Sequence, residues 1–420
     1  MSLPCLVWAS LVIPTLTWGA DFPPASELKK VEGLPDPLRM FDGTPVATRE
    51  QWVTRRRPEL ISLFEHYMYG KAPAAPPLKA AVERINPEYF NGKAIKQEVV
   101  LTIGPAGAPQ LTLLLIVPKV PAGPKPVFLS INFCGNHTLL DDPTIAFPTA
   151  WMPDHCPGCV DHHPTEKSRG TQKDDWGIER TIDRGYAFAS FYCGDVDPDR
   201  NDFTDGIHPF YPETGKPQRD PHGWGAIAAW AWGMQRAVDY LVTHPDLDKR
   251  RIAVVGHSRL GKTSLLAGAF DERIALIIPH QAGCGGTAPS RQPGGETVKQ
   301  INDRFPHWFC DEFKKFNAEV DRLPFDQHSL VALCAPRPVL LSNAQEDSWA
   351  DPKGQFKALQ GADPVYKLLG SQGLKDPQYP QLEHLVDSPL GYYIRPGRHS
   401  MNKGDWLVFL EFADKNMPAR

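Results

Sequence analysis

Largely apolar runs punctuate the chain at 126–133 (PVFLSINF), 186–193, 251–256 (RIAVVG), 274–279 and 338–341. Runs of this kind suit strands buried on both faces of a parallel sheet, where no side chain meets water. Ahead of them, 97–104 and 111–118 are β-rich and joined by a Gly/Pro turn, which predicts a hairpin. Helical patterns fill the gaps at 223–244, rich in Ala and Trp, at 260–270 and at 405–416. Alternating strands and helices predict a doubly wound α/β architecture: three α/β/α layers around a mostly parallel central sheet, led by antiparallel strands. Segments 138–175 and 289–325 break the rhythm as long loop insertions, and loops of that length commonly cover or build a site. No repeat or linker divides the chain, so 21–420 is expected to form one domain.

Composition narrows the class. With 41% apolar and 22% charged residues over 420 positions, the chain can bury a large core. A formal net charge of −4 provides no broad electropositive surface, so neither nucleic acid nor a membrane is expected as a partner. Residues 1–20 are apolar and end in the small residues Thr17, Gly19 and Ala20, as in a secretory signal peptide, although no Lys or Arg marks its start. Pro4 and Pro14 argue against a spanning helix there, so a secreted or periplasmic location is expected. Removing such a leader leaves seven cysteines, at least one without an intrachain partner, and the pairing stays open. The cluster His155-Cys156-Pro-Gly-Cys159 with His162 and His163 has the look of a metal knuckle. A surface loop pinned by a disulfide explains the same letters, and no metal is expected.

The chemistry concentrates at Gly256-His-Ser258-Arg259-Leu-Gly-Lys262, read as strand, sharp turn and helix with a serine at the turn. Such an elbow exposes a nucleophilic hydroxyl, while the next N–H and the helix N-terminus face a developing oxyanion. The spacing is G-x-S-x-x-G, with Leu260 where the commoner motif has its second glycine. Arg259 and Lys262 occupy the helix's first turn, where the macrodipole disfavours cations by roughly 0.3 to 1 kcal/mol each, so a negative group is expected beside them. A base and an orienting acid must follow in chain order. His399, after the short strand pattern 391–396, is the candidate base. The loop after 338–341 offers Glu346, Asp347 and Asp351, with Asp347 favoured. The acidic run from Asp195 to Asp202 fails as an EF-hand, because Arg200 stands at the sixth position and Gly206 at the twelfth, and it reads instead as a capped turn. Asn136-His-Thr138 is a glycosylation sequon.

These residues resemble the glucuronoyl esterases of carbohydrate esterase family fifteen, especially bacterial members. The likeness runs through the elbow, Gly283-Cys-Gly-Gly286, Gly295-Glu-Thr297, Phe305-Pro-His-Trp-Phe309, Leu323-Pro-Phe-Asp-Gln-His328, Ala335-Pro-Arg-Pro338 and Trp349-Ala-Asp-Pro-Lys-Gly354. It implies an α/β-hydrolase-fold serine esterase, without a cofactor, that cleaves the ester between a (4-O-methyl-)glucuronic acid branch of glucuronoxylan and a lignin alcohol. Carried over by position, Ser258 is the nucleophile, His399 the base, Asp347 the acid and Arg259 an oxyanion contributor. Lys262, Glu296, Trp349 and Arg304 fall where the sugar binds, and the enzyme is expected to act as a monomer. The sequence departs from fungal members in two places: Gln281 stands at their catalytic glutamate, and His257 replaces their elbow cysteine. Arg304 stands where relatives often carry a neutral polar residue. Two rival readings are an acetyl xylan esterase or other deacetylase with the same triad, and a non-catalytic carbohydrate-binding relative.

Overall fold

The computed structural model describes residues 22–211, 219–291 and 293–417, so the leader expected at 1–20 lies outside the described residues. Among the described residues nine strands form one sheet: β1 (Lys79–Tyr89), β2 (Ala94–Thr102), β3 (Gln110–Pro118), β4 (Lys125–Asn132), β5 (Ala187–Tyr192), β6 (Leu247–His257), β7 (Leu276–His280), β8 (Val339–Ala344) and β9 (Leu390–Arg395). Their spatial order is β1-β2-β3-β5-β4-β6-β7-β8-β9. The first three strands pair antiparallel, β3 meets β5 antiparallel, and every pairing from β5 to β9 is parallel.

The apolar runs became strands because each buries alternate residues in two separate cores. In β6, Ile252 and Val254 join one core while Ala253 and Val255 join the other; β4 divides Val127 and Leu129 from Phe128 in the same way. Helices Ala226–Leu241, Arg259–Phe270 and Pro352–Leu368 cover the first face, and Ile178–Asp183 and Lys403–Asn416 the second. This is the expected three-layer arrangement. The last helix anchors through Trp406, fully buried against Phe128, Trp176 and Phe188 at ring separations of 5.8 to 5.9 Å. Truncating a tryptophan so placed costs about 3 to 5 kcal/mol. Among the described residues no helix is long and apolar enough to cross a membrane.

Three elements are not apparent in the sequence pattern. The edge strand β1 has almost no buried residue, so it carries no apolar run. The helical stretch from Arg49 to Tyr69 contains π-helical turns that blur the 3.6-residue period. Helix Pro352–Leu368 carries Pro364 in its interior. Segment 289–325, read as loop, contains the short helix Val298–Arg304 and a 3-10 turn at Asp311–Phe316. Cys134 and Cys156 form a disulfide while Cys159 stays free, which accounts for the knuckle-like cluster. The sequon asparagine, Asn136, is buried: its amide donates to the Thr112 carbonyl and accepts from Asn132, so it serves the fold and offers no face to a glycan.

Candidate active site

The chain reverses direction across the sheet at β4, which sits between β5 and β6. In open α/β sheets the crevice beyond the carboxyl ends of the strands, next to such a switch point, is where ligands bind. Five strand ends deliver side chains there: Asp199 after β5, Ser258 after β6, Gln281 after β7, Asp347 after β8 and His399 after β9.

Ser258 has φ 58° and ψ −124° and caps helix Arg259–Phe270. An L-residue held there stores strain that the surroundings must impose. Two glycines make the turn possible. A Cβ on Gly256 would lie 1.9 Å from the Leu260 carbonyl oxygen, and one on Gly261 would lie 2.8 Å from that of His280. Gly261 thus does the packing that the motif's second glycine normally provides, one position later. The Ser258 N–H donates to the His280 carbonyl at 2.9 Å, locking the elbow to β7.

His399 Nδ1 is 2.6 Å from Asp347 Oδ2. The other two candidate acids are engaged elsewhere. Asp351, at φ 51°, accepts the N–H groups of Gly354 and Gly294 as the cap of helix Pro352–Leu368. Glu346 is a solvent-facing partner of Arg398 at 3.6 Å. The loop that carries His399 is pinned at the next residue: the Ser400 carbonyl accepts from Arg395, Gln281 and His280, and its N–H donates to the Gln281 side chain. Gln281, at the position where fungal relatives carry an acid, is therefore a clamp. Its amide supplies both the donor and the acceptor that this peptide needs, which a carboxylate cannot do.

Arg259 already has its anion. Its guanidinium pairs with Asp199 and lies over the rings of Trp308 at 4.8 Å and Phe305 at 5.3 Å. Asp199 also accepts from His307 at 2.9 Å and Trp308 at 2.8 Å. Burial alone would raise its pKa, but the His307 hydrogen bond, Arg259 and Trp308 outweigh this and hold the carboxyl well below the usual range. Sequence reading missed Asp199, folding it into a capped turn. Only Asp202 in that run behaves so, accepting from Thr204. The signal available was an acid just past the end of a buried strand.

Lys262 is buried and donates to the Ala282 carbonyl. Burial pushes its pKa down, and nearby Glu296 only partly offsets this. Glu296 is itself buried, with Oε1 lacking any partner, and burial pushes its carboxyl up against the pull of Lys262. An unsatisfied buried carboxylate oxygen is a group waiting for a donor. Trp349, in contrast, is 47% exposed. All eight residues singled out from the sequence (Ser258, Arg259, Lys262, Glu296, Arg304, Asp347, Trp349 and His399) line one cavity of about 270 Å³. Arg304 contributes from the rim, its guanidinium over Phe305 at 5.2 Å. Phe305 in turn stacks on Trp308 at 3.7 Å.

Comparison with known proteins agrees with this geometry. Residues 175–370 match the family profile described as glucuronyl esterase, fungi. A carbohydrate esterase from an unknown prokaryotic organism is 46% identical over 91% of this chain and 89% of its own length. A glucuronoyl esterase from Solibacter usitatus, of known structure, is 38% identical with a TM-score of 0.86, the match covering 93% of this chain and 99% of that one. A 4-O-methyl-glucuronoyl methylesterase from Phanerochaete carnosa (strain HHB-10118-sp) is 28% identical over 80% of this chain and 72% of its own length. A strained serine elbow, a histidine–aspartate pair and kinship of this extent lead to one conclusion: the chain belongs to the glucuronoyl esterases of carbohydrate esterase family fifteen, carboxylic ester hydrolases with the α/β-hydrolase fold.

Proposed function

We propose that this enzyme hydrolyses the ester between a (4-O-methyl-)glucuronic acid branch of xylan and a lignin alcohol, through a glucuronoyl-Ser258 intermediate. The observation that carries the reading is the convergence of a paired His399–Asp347 and of the buried Lys262 and Glu296 on the cavity that holds Ser258. With Nδ1–H donating to Asp347, the Nε2 of His399 is free to take the Ser258 proton as Oγ attacks the uronoyl carbonyl. The oxyanion is met by the Arg259 guanidinium and by the backbone N–H of Arg259, one of the donors that a helix start leaves unpaired. Collapse expels the alcohol, which takes the proton back from His399. Water then repeats the sequence and releases the uronic acid. Glu296 accepts from sugar hydroxyls, the nearby charge of Lys262 favours its ionised form, Trp349 offers its exposed ring face to the pyranose, and Arg304 meets the sugar at the rim. A polymeric substrate is met outside the cell, and the apolar first twenty residues fit export of a single catalytic unit spanning 21–420.

The test is a panel of methyl and benzyl glucuronate, the matching galacturonates and acetylated xylan. Glucuronate esters are expected to be cleaved and acetyl esters ignored. Ser258→Ala should abolish turnover. Asp347→Asn should lower kcat by about 10³- to 10⁴-fold with KM kept, since it leaves the imidazole without its charged partner. Glu296→Ala should act mainly on KM, by about 10- to 100-fold. Activity on acetyl esters alone would make the enzyme a deacetylase, and uronate binding without any turnover would make it a binding protein.

A further inference from the structure

His399 stands on an exposed connection. Pro396 and residues 398–400 face solvent, and the imidazole itself is 42% open. Asp347 holds the ring at its tip, so the backbone beneath needs a separate support. A base must keep within about 0.5 Å of its productive place to take a proton efficiently, which an exposed connection does not secure by itself.

Arg395, the buried last residue of β9, reaches both ends of that connection at once. Its Nη1 donates to the Pro396 carbonyl at 2.9 Å, and its Nη2 to the Ser400 carbonyl at 2.7 Å and the Ser400 hydroxyl at 3.1 Å. Nε donates to Asp405 Oδ1 at 2.8 Å. Asp405 is fully buried in the first turn of helix Lys403–Asn416, where its other oxygen accepts the Asn402 N–H at 2.9 Å. The next residue, Trp406, anchors that helix in the second core. A line of fixed groups thus runs from a packed tryptophan, through a carboxylate and a guanidinium, to the carbonyls on either side of the catalytic imidazole. A planar fork spans these acceptors, whereas an ammonium presents its three donors from a single point. The acid rides on the same frame: the Gln345 N–H donates to the Arg395 carbonyl at 2.9 Å and the Glu346 N–H to that of Gly397 at 3.0 Å.

We propose that Arg395 is a positioning residue for the reaction: by bridging Pro396 and Ser400 from a base fixed by Asp405, its guanidinium sets where His399 stands between Asp347 and Ser258. The inference rests on the role of His399 proposed above. Charge balance for Asp405 is the competing account, since a buried carboxylate needs a cation. A cation serving that end alone has no need to direct two of its three nitrogens at the connection that carries the histidine.

The experiment measures kcat and KM on benzyl glucuronate for wild type, Arg395→Lys, His399→Ala and the double variant Arg395→Lys/His399→Ala, with thermal melts of each. Arg395→Lys keeps a charge beside Asp405 but loses the fork, and is expected to lower kcat about 10- to 100-fold with KM within about twofold. On the residual turnover of His399→Ala the same replacement should change kcat by less than about twofold, because its effect passes through the imidazole. Should Arg395→Lys fail to fold, Arg395→Gln/Asp405→Asn takes its place under the same expectations, since removing both charges leaves no ion buried alone. A wild-type kcat in the position-395 variant overturns the proposal, and so does a change confined to KM. An equal loss with and without His399 also overturns it, leaving Arg395 a partner of Asp405 in the fold and nothing more. Full activity in His399→Ala would instead overturn the parent assignment of the base, which keeps the two failures distinct.

Discussion

The imidazole of His257 lies 4.6 Å from that of His399 and 5.1 Å from that of His280. Burial, reinforced by these two neighbours, pushes His257 well below the usual imidazole range, so it stays neutral while it packs beside the His399 ring. His257→Phe keeps a ring and removes nothing that titrates near neutrality, so its pH–rate profile should keep the wild-type acid limb. His257→Ala opens a gap beside His399 and should lower kcat by about tenfold. Profiles of kcat against pH for the two variants check this; a shifted acid limb in His257→Phe would show that His257 itself titrates in the working range.

Asp199 holds Arg259 by charge and by position. Asp199→Asn leaves a guanidinium with no anion under two aromatic rings, and should lower kcat about 10- to 100-fold with a smaller effect on KM. Breaking so buried a pair also destabilises the fold, on the order of 3 kcal/mol. Because the folded carboxyl is held below its ordinary pKa of 3.8, the stabilisation is complete above that pH and is lost as pH falls beneath it. Urea melts at pH 7 and pH 3 should therefore show a larger difference between wild type and variant at pH 7.

Gln281 grips the Ser400 peptide with a donor and an acceptor. Gln281→Glu restores the residue type found in fungal relatives but turns the donor toward the Ser400 carbonyl into a carboxylate oxygen. It should lower kcat about 10- to 100-fold by loosening the His399 loop, and it should not rescue Asp347→Asn. Recovery of activity in that double variant would show that position 281 supplies the orienting charge.

Asp195 is buried with only the Thr112 N–H for company at 3.1 Å, and burial pushes its carboxyl up to about 7. Between its ordinary value of 3.8 and about 7 the unfolded chain ionises while the folded protein keeps the proton, so stability falls across that window by roughly 1.4 kcal/mol per pH unit. Asp195→Asn keeps an acceptor for Thr112 and removes the penalty. Thermal melts should coincide with wild type near pH 4 and favour the variant by pH 8.

Much of the site was legible because its chemistry is carried by short segments. The strand–serine–helix elbow is local, and the histidine and the acidic loop each follow a recognisable strand. What the letters left open was settled by direction. Glu346, Asp347 and Asp351 lie within six residues of one another, and only the path of the chain after β8 turns Asp347 toward His399, leaves Glu346 in solvent and makes Asp351 a cap. The pairing of Cys134 with Cys156 and the grip of Gln281 on Ser400 are equally invisible in one dimension.

The sequence by itself determined the parallel sheet, because strands buried on both faces must be apolar throughout, and it placed Ser258 at the turn between strand and helix, because the glycines that a sharp elbow needs flank it in the chain. Tertiary structure alone decided the partners: Asp199 lies 60 residues from Arg259 and Gln281 lies 119 from Ser400. Side-chain bonds act over about three ångströms in space, and no periodicity along the chain encodes which distant strand ends are brought that close.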